Sequence, residues 1–427
     1  MIPSGQTAWA PPRRRGLRLS MEPVLLLTAA IIMGVSGGML WLVGINYDGL
    51  TGSAIHKLHP ATYLSGLLFA VAMLRAGNPV AYLASAAARR PASALMTIIG
   101  LVYFLHIVLR GAPGMAGALD TFMLPGLVGI LLADADARTL RRLEWMVHAV
   151  MLANAGLGLV EFATNQRFFP YRLDGELFGN DTRSTSLQGH PLGNATLTSV
   201  YVLALIAGGG SMPPLLRLGM IGLQSAALVT FGGRSGMVVT LVLGGGYGLL
   251  LLHRTLMAGR IPLLAAAAAV FALPLVPLGI GALAYFGFFD ALLQRFSSDG
   301  GSANARVEMF ALFGKLPLRQ LVFGPDTALV ESLRRINGLE WGIENPVIRT
   351  LLYQGALMTG LLMIGVTLFL VEVARHCRRG IALPMIAFLM LIMTFESLGG
   401  KTTLLSKFAI LLLALYRPLP ERPGARR

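Results

Sequence analysis

Long apolar runs, each closed by a short polar break, divide most of this chain. A helix needs roughly 20 apolar residues to cross the ~30 Å hydrocarbon core of a bilayer. Runs of about that length cover 24–45, 60–76, 92–110, 116–133, 143–163, 192–209, 213–231, 235–253, 261–289, 347–371, 382–398 and 402–416. The pattern predicts an all-α polytopic membrane protein with about twelve transmembrane helices. The first run is too long for a secretory leader and lacks a small-residue cleavage site after Trp41, so it is expected to remain as a helix. One stretch breaks the rhythm, the polar island from Asp290 to Glu344. The expected organisation is a tail over 1–23, nine spans within 24–289, a large loop over 290–346, three spans within 347–416 and a second tail over 417–427.

Composition agrees, since 55% hydrophobic and 13% charged residues exclude a water-soluble globule of this length. Basic residues set the orientation, because Lys and Arg in short loops stay cytoplasmic. With the N-terminus inside, Arg13–Arg15, Arg75, Arg89, Arg90, Arg138, Arg141, Arg142, Arg254, Arg375, Arg378 and Arg379 all fall on the cytoplasmic side, and the polar island falls outside. The net charge of +15 therefore reads as topology and contact with anionic lipid headgroups, not as nucleic-acid binding. Cys377 is the single cysteine, so no disulfide forms within the chain, and no Cys/His cluster offers a zinc site. No cofactor or metal is called for.

Three outside segments carry the candidate chemistry. The first, 164–191, contains Arg183, His190 and, just beyond it, Asn194. Its Asn, Asp, Gly and Pro content forbids a regular span, and such backbone survives at membrane depth only against protein or water, so a cavity wall is expected. The second, "FGGRSG", puts Arg234 at a helix start where Ser235 is placed to cap, and a snorkelling arginine is the plain alternative. The third is the island. There Arg306 and Glu308 open the amphipathic stretch "NARVEMFALF", which predicts a helix on the membrane face, its charges being otherwise a solvated pair. The island ends in "ENPVIRT", where Asn345 caps a helix beginning at Pro346 and holds Glu344 at its rim. Glu344 is a candidate general base, or else the simple ion-pair partner of Arg349.

Taken together, "GHPLGNATLTSVYVLAL", "GGRSGMVVTLVL", "GGSANARVEMFALFGKLPLRQLVFGPD" and "ENPVIRTLLYQGALMTG" resemble the O-antigen ligase and O-antigen polymerase superfamily, the WaaL-like and Wzy-like membrane glycosyltransferases. The resemblance covers roughly residues 150–370. It departs from the family pattern where most members have His and this chain has Glu344, and where the proline-asparagine segment reads His-Pro-Leu-Gly-Asn. Those departures point to an exopolysaccharide, VpsF-like branch.

The resemblance implies a GT-C-like fold with a large periplasmic loop before the tenth helix, in the bacterial inner membrane. It implies an undecaprenyl-pyrophosphate-linked oligosaccharide as donor and a glycan acceptor, with a chain-length regulator and a flippase as accessory partners. On that footing Arg234 and Arg306 face the pyrophosphate, Glu344 or His190 takes the acceptor proton, and Arg183, Asn194, Glu308, Asn345 and Arg349 shape the substrate site. Arginine suits the task because its planar fork binds phosphate oxygens at two points. Polymerisation of repeat units for exopolysaccharide or O-antigen is the first expectation. Ligation of the glycan to a lipid or other acceptor is the alternative, and a lipid-linked oligosaccharide flippase or transporter is the second alternative. A non-catalytic scaffold has no positive feature in its favour.

Overall fold

The computed structural model describes residues 21–417 except 50–51, 134, 174, 179–181, most of 260–307, 340–342 and 396. Arg306, the expected span 261–289 and most of both tails lie outside the described residues.

Helix starts are written locally in the sequence. A cap residue followed by proline opens α3 (Pro60–Arg75), α4 (Pro79–Arg89), α8 (Pro191–Ile206) and α13 (Pro346–Gln354), capped by the side chains of His59, Asn78, His190 and Asn345. Proline suits the first turn because its missing N–H is unused there, while the cap side chain accepts from a free backbone donor. Left-handed glycines close α5 (Pro91–Arg110) at Gly111 and α9 (Pro214–Phe231) at Gly232.

Among the described residues, six helices are long and apolar enough to cross a membrane: α5, α6 (Met115–Ala133), α7 (Ala137–Thr164), α9, α10 (Arg234–Met257) and α14 (Ala356–Arg375). The α3–α4 pair, bent by 117°, raises the number to seven if it counts as one span. Shorter apolar helices are α1 (Glu22–Gly34), α8, α15 (Ala382–Ile392) and α16 (Leu404–Leu415). The chain is thus an all-α, multi-pass membrane protein; its only described strands are a hairpin of two residues each, Arg172–Leu173 with Glu176–Leu177. The centre is taken by two of the short helices. Every residue of α16 is buried, as are Asn194–Leu205 of α8, whereas α10 is mostly exposed along its length. A helix apolar on all sides fits either place, and the packing settles which. Phe388 of α15 stacks on Phe408 of α16 at 3.7 Å between ring centroids. Small residues let α5 and α6 approach closely, for a Cβ on Gly100 would lie 2.6 Å from the Met123 nitrogen.

Polar contacts sort the helix ends into two groups. At the basic end Arg142 pairs with Glu22 at 2.7 Å and Arg417 with Glu144 at 2.8 Å, while Arg378 donates to the Gly208 carbonyl at 2.8 Å. At the opposite end Arg110 donates to the carbonyls of Pro325 (2.6 Å) and Tyr353 (3.1 Å). The described part of the polar loop, including α11 (Leu318–Phe323) and α12 (Thr327–Ile336), is therefore tied to the end away from the basic cluster.

Several expectations are corrected. The first run breaks after Gly34 into α1 and α2 (Gly37–Leu42), and the tenth breaks at Gly355 between α13 and α14. The eleventh stops at Ile392, because the polar segment that follows folds back as a 3-10 turn at Ser397–Gly399. Ser235 does not cap α10: Gly233 holds the cap position, and no side chain bonds there. In the amphipathic stretch after Arg306, Phe310 and Gly314 are exposed while other apolar residues turn inward. Met309 and Leu312 are buried with Val330, Ile343, Leu352 and Tyr353 in a separate small core, to which the loop and α13 both contribute.

Candidate functional site

The end of the bundle that carries the polar loop gathers most of the residues singled out in the sequence, in two groups. The first surrounds the start of α8. His190 caps that helix, its Nδ1 accepting from the Gly193 N–H at 3.2 Å, and its ring meets Tyr171 edge-on at 4.5 Å. Asn194, fully buried, donates through Nδ2 to the Thr185 carbonyl. Arg234 is the first residue of α10, half-buried, and follows Gly233, whose missing Cβ lets the helix start press against Ala195 of α8. Arg183 is half-buried and is held by its backbone: its carbonyl accepts from Arg167 Nε at 2.7 Å, and the next residue, Ser184, donates to the Thr230 carbonyl at 3.1 Å.

The second group is the start of α13. Asn345 Oδ1 accepts from the Val347 and Ile348 N–H groups at 3.0 and 3.1 Å, which places half-buried Glu344 immediately before the first turn. Arg349 follows one turn later, its guanidinium carbon 5.6 Å from the centre of the Tyr353 ring. Glu308 is exposed on the loop and joins neither group.

What links the groups is the connection 393–403 between α15 and α16, which the sequence reading passed over. Phe395 stacks with His190 at 5.9 Å between centroids. Four residues on, Gly399 lies so close to α13 that a Cβ would sit 3.0 Å from Pro346 Cα and 3.1 Å from Arg349 Cδ. Only a residue without a side chain permits that approach.

The same connection feeds a polar knot that was also missed. Lys401 donates to the Tyr47 carbonyl and lies 3.8 Å above the Tyr47 ring. The Tyr47 hydroxyl donates at 2.9 Å to Asp120, a fully buried carboxylate on the π-helical turn Ala118–Met123 that also accepts from Thr62 Oγ1 (2.6 Å) and the His59 N–H (3.0 Å). Burial pushes the nearby Asp48 carboxyl above the usual carboxylate range, against the opposing pull of Lys401, Arg172 and Lys57. Lys407 is buried in α16 and donates to Gln188 Oε1, and Gln188 in turn donates to the Met33 carbonyl at 2.9 Å. The available signal was the presence of Asp120 and Lys407 inside apolar runs, where an ionisable residue is costly and marks function by default.

Chemically, this end of the bundle carries the guanidinium groups of Arg183, Arg234 and Arg349, the Lys401 ammonium and the half-buried Glu344 carboxylate. Such a face favours an anionic ligand and allows proton transfer at Glu344. Among the described residues no group of three or more His, Cys, Asp or Glu is placed to hold a metal ion. Comparison with protein-family models, with curated proteins and with solved structures yields no match.

Proposed function

We propose that this chain is a glycosyltransferase of the O-antigen polymerase and ligase kind. It joins undecaprenyl-pyrophosphate-linked repeat units of an exopolysaccharide or O-antigen at the periplasmic face of the bacterial inner membrane, on a GT-C-like scaffold of about twelve spans. The acceptor hydroxyl oxygen attacks the anomeric carbon of the donor sugar, the bond from that carbon to the phosphate oxygen breaks, and undecaprenyl pyrophosphate departs with the electron pair. Glu344 takes the hydroxyl proton. Arg234 and Arg306 stabilise the charge that grows on the pyrophosphate, and Arg183, His190, Asn194 and Arg349 shape the site around it.

The observation that carries this reading is the 393–403 connection, which touches the cap of α8 at His190 and the start of α13 at Pro346 and Arg349. Cation-bearing and carboxylate-bearing helix starts are thereby brought to one end of the bundle, as a transfer from a diphosphate leaving group requires.

Replacing Arg234 or Arg306 by Ala should cost on the order of 3 kcal/mol in the transition state, about two decades in turnover. In cells expressing the variants at normal level, single repeat units should accumulate on the lipid. Full-length polymer from Arg234→Ala and Arg306→Ala cells would refute the assignment, while wild-type turnover in Glu344→Gln would remove only the base. Long chains left on the lipid carrier in a deletion strain would favour ligation over polymerisation.

A further inference from the structure

At the basic end of the bundle a cavity of about 330 Å³ opens between the first turn of α5 and the last two turns of α14. Its walls are apolar, with Pro91, Ala92 and Leu95 on α5 and Leu368 and Val371 on α14, and its mouth is basic, with Arg375 and His376 where α14 ends. Glu372 also lines it, but that carboxylate is committed to the start of α5, where it accepts from the Ala92 N–H at 2.6 Å, the Ser93 N–H at 3.1 Å and the Ser93 hydroxyl. His376 is fixed through Nδ1, which lies 2.8 Å from the Glu372 carbonyl oxygen. Among the described residues no carboxylate pairs with Arg375, which is exposed. The apolar walls reach the outside of the bundle, for Leu95 is 36% exposed, Leu368 43% and Val371 41%.

We infer that this cavity is a site for one anionic glycerophospholipid, its phosphate at Arg375 and His376 and an acyl chain along Leu95, Leu368 and Val371. The lipid comes from the leaflet at the basic end, the cytoplasmic one by the rule that places Lys and Arg. Depth selects the class of occupant. Leu368 to Arg375 is about 10 Å of helix rise at the end of a 20-residue span, so the cavity stays within one leaflet, about 15 Å deep as half of a ~30 Å core. An apolar wall open to lipid below a basic mouth suits an amphiphile and gives a free phosphate ion nothing to hold its second side. Charge selects the head. With Glu372 engaged by three donors, Arg375 is the charge left to a ligand, and its planar fork binds phosphate oxygens at two points. Basic pockets between helices on the side that faces anionic lipid recognise such headgroups. A lipid seated there bridges α5 and α14 and reinforces the joint that Glu372 makes between them. The site is independent of the proposed transferase chemistry.

The test uses the full-length protein in phosphatidylcholine nanodiscs holding a trace of phosphatidylglycerol with a diazirine in one acyl chain, irradiated and then mapped by peptide mass spectrometry. Adducts should concentrate on residues 91–95 and 368–371, and unlabelled phosphatidylglycerol should displace them where an equal amount of phosphatidylethanolamine does not. Arg375→Gln should weaken the labelling about fivefold, the weight of one basic residue facing an anionic headgroup, and Arg375→Lys, which keeps the charge, should lose no more than about twofold. Leu368→Trp, at an exposed lining position, should abolish the adducts, and Ile364→Trp, exposed but outside the cavity, should leave them intact. All four positions changed or compared are exposed, and an unchanged thermal midpoint in phosphatidylcholine alone shows that each variant is folded. Equal displacement by phosphatidylethanolamine, wild-type labelling in folded Arg375→Gln or Leu368→Trp, or adducts spread evenly over the lipid faces of α9 and α10 would overturn the inference.

Discussion

Glu161 organises the segment that carries Arg183 and His190, and its replacement by Gln gives a sharp test of how that segment is held. The side chain is fully buried on α7. One carboxylate oxygen accepts from the Phe168 N–H at 3.0 Å, and the other from the N–H groups of Thr185 and Ser186 at 2.7 and 2.9 Å. Glutamine has one acceptor oxygen, so whichever way the amide turns, its NH2 group faces a buried backbone donor. That unmet donor costs about 1–3 kcal/mol, and bonds of about 1.5–3 kcal/mol to a charged acceptor become ordinary ones of about 0.5–1.5. Relief of the carboxylate's own desolvation opposes this. Three backbone donors aimed at it, with Arg167 bonded at 2.9 Å to the Glu161 carbonyl, make the net loss the larger effect, about 3 kcal/mol. Local opening of 182–190 should then be about a hundredfold more frequent. Hydrogen exchange at the Thr185 and Ser186 amides of nanodisc-embedded Glu161→Gln reads this directly. Exchange within about threefold of the wild type would show that desolvation governs the site and would refute the reasoning.

Two further predictions concern helix ends. Gly355 joins α13 to α14 at φ 84° and ψ 167°, and a Cβ there would lie 2.7 Å from the Val322 carbonyl oxygen, so Gly355→Ala should cost at least about 1–3 kcal/mol and loosen the loop from α13. A thermal midpoint and a loop proteolysis pattern unchanged from wild type would contradict this. Asp136 caps α7, and its bonds to Thr139, whose N–H lies at 2.7 Å, hold the carboxyl below its ordinary range. Because the folded-state value is the lower one, this contribution to stability is present above the unfolded carboxyl's pKa and is lost as the pH falls through the folded one. Asp136→Asn should keep a capping oxygen while flattening that part of the acid limb of a pH–stability curve; superimposable curves would count against the assignment.

The hydrophobic pattern by itself determined that this is a membrane protein of apolar helices, where most of them lie, and which polar segments interrupt them. These features are local: a run either has or lacks the length to satisfy its backbone within lipid, and a cap followed by proline opens a helix wherever it stands. That is why the start at Pro346 and the polar loop were legible. Arg183, His190, Asn194, Arg234, Glu344 and Arg349 were named from segment chemistry alone. Tertiary structure alone decided that short α8 and α16 form the centre while longer α10 faces outward, because an apolar side chain suits a protein core and a lipid tail equally well. It also decided the breaks after Gly34 and at Gly355, and the inward turn of Met309 and Leu312. The 393–403 connection was invisible for a related reason. Its partners are remote along the chain, with Lys401 bonded to a carbonyl 354 residues away, and no spacing rule spans such a distance.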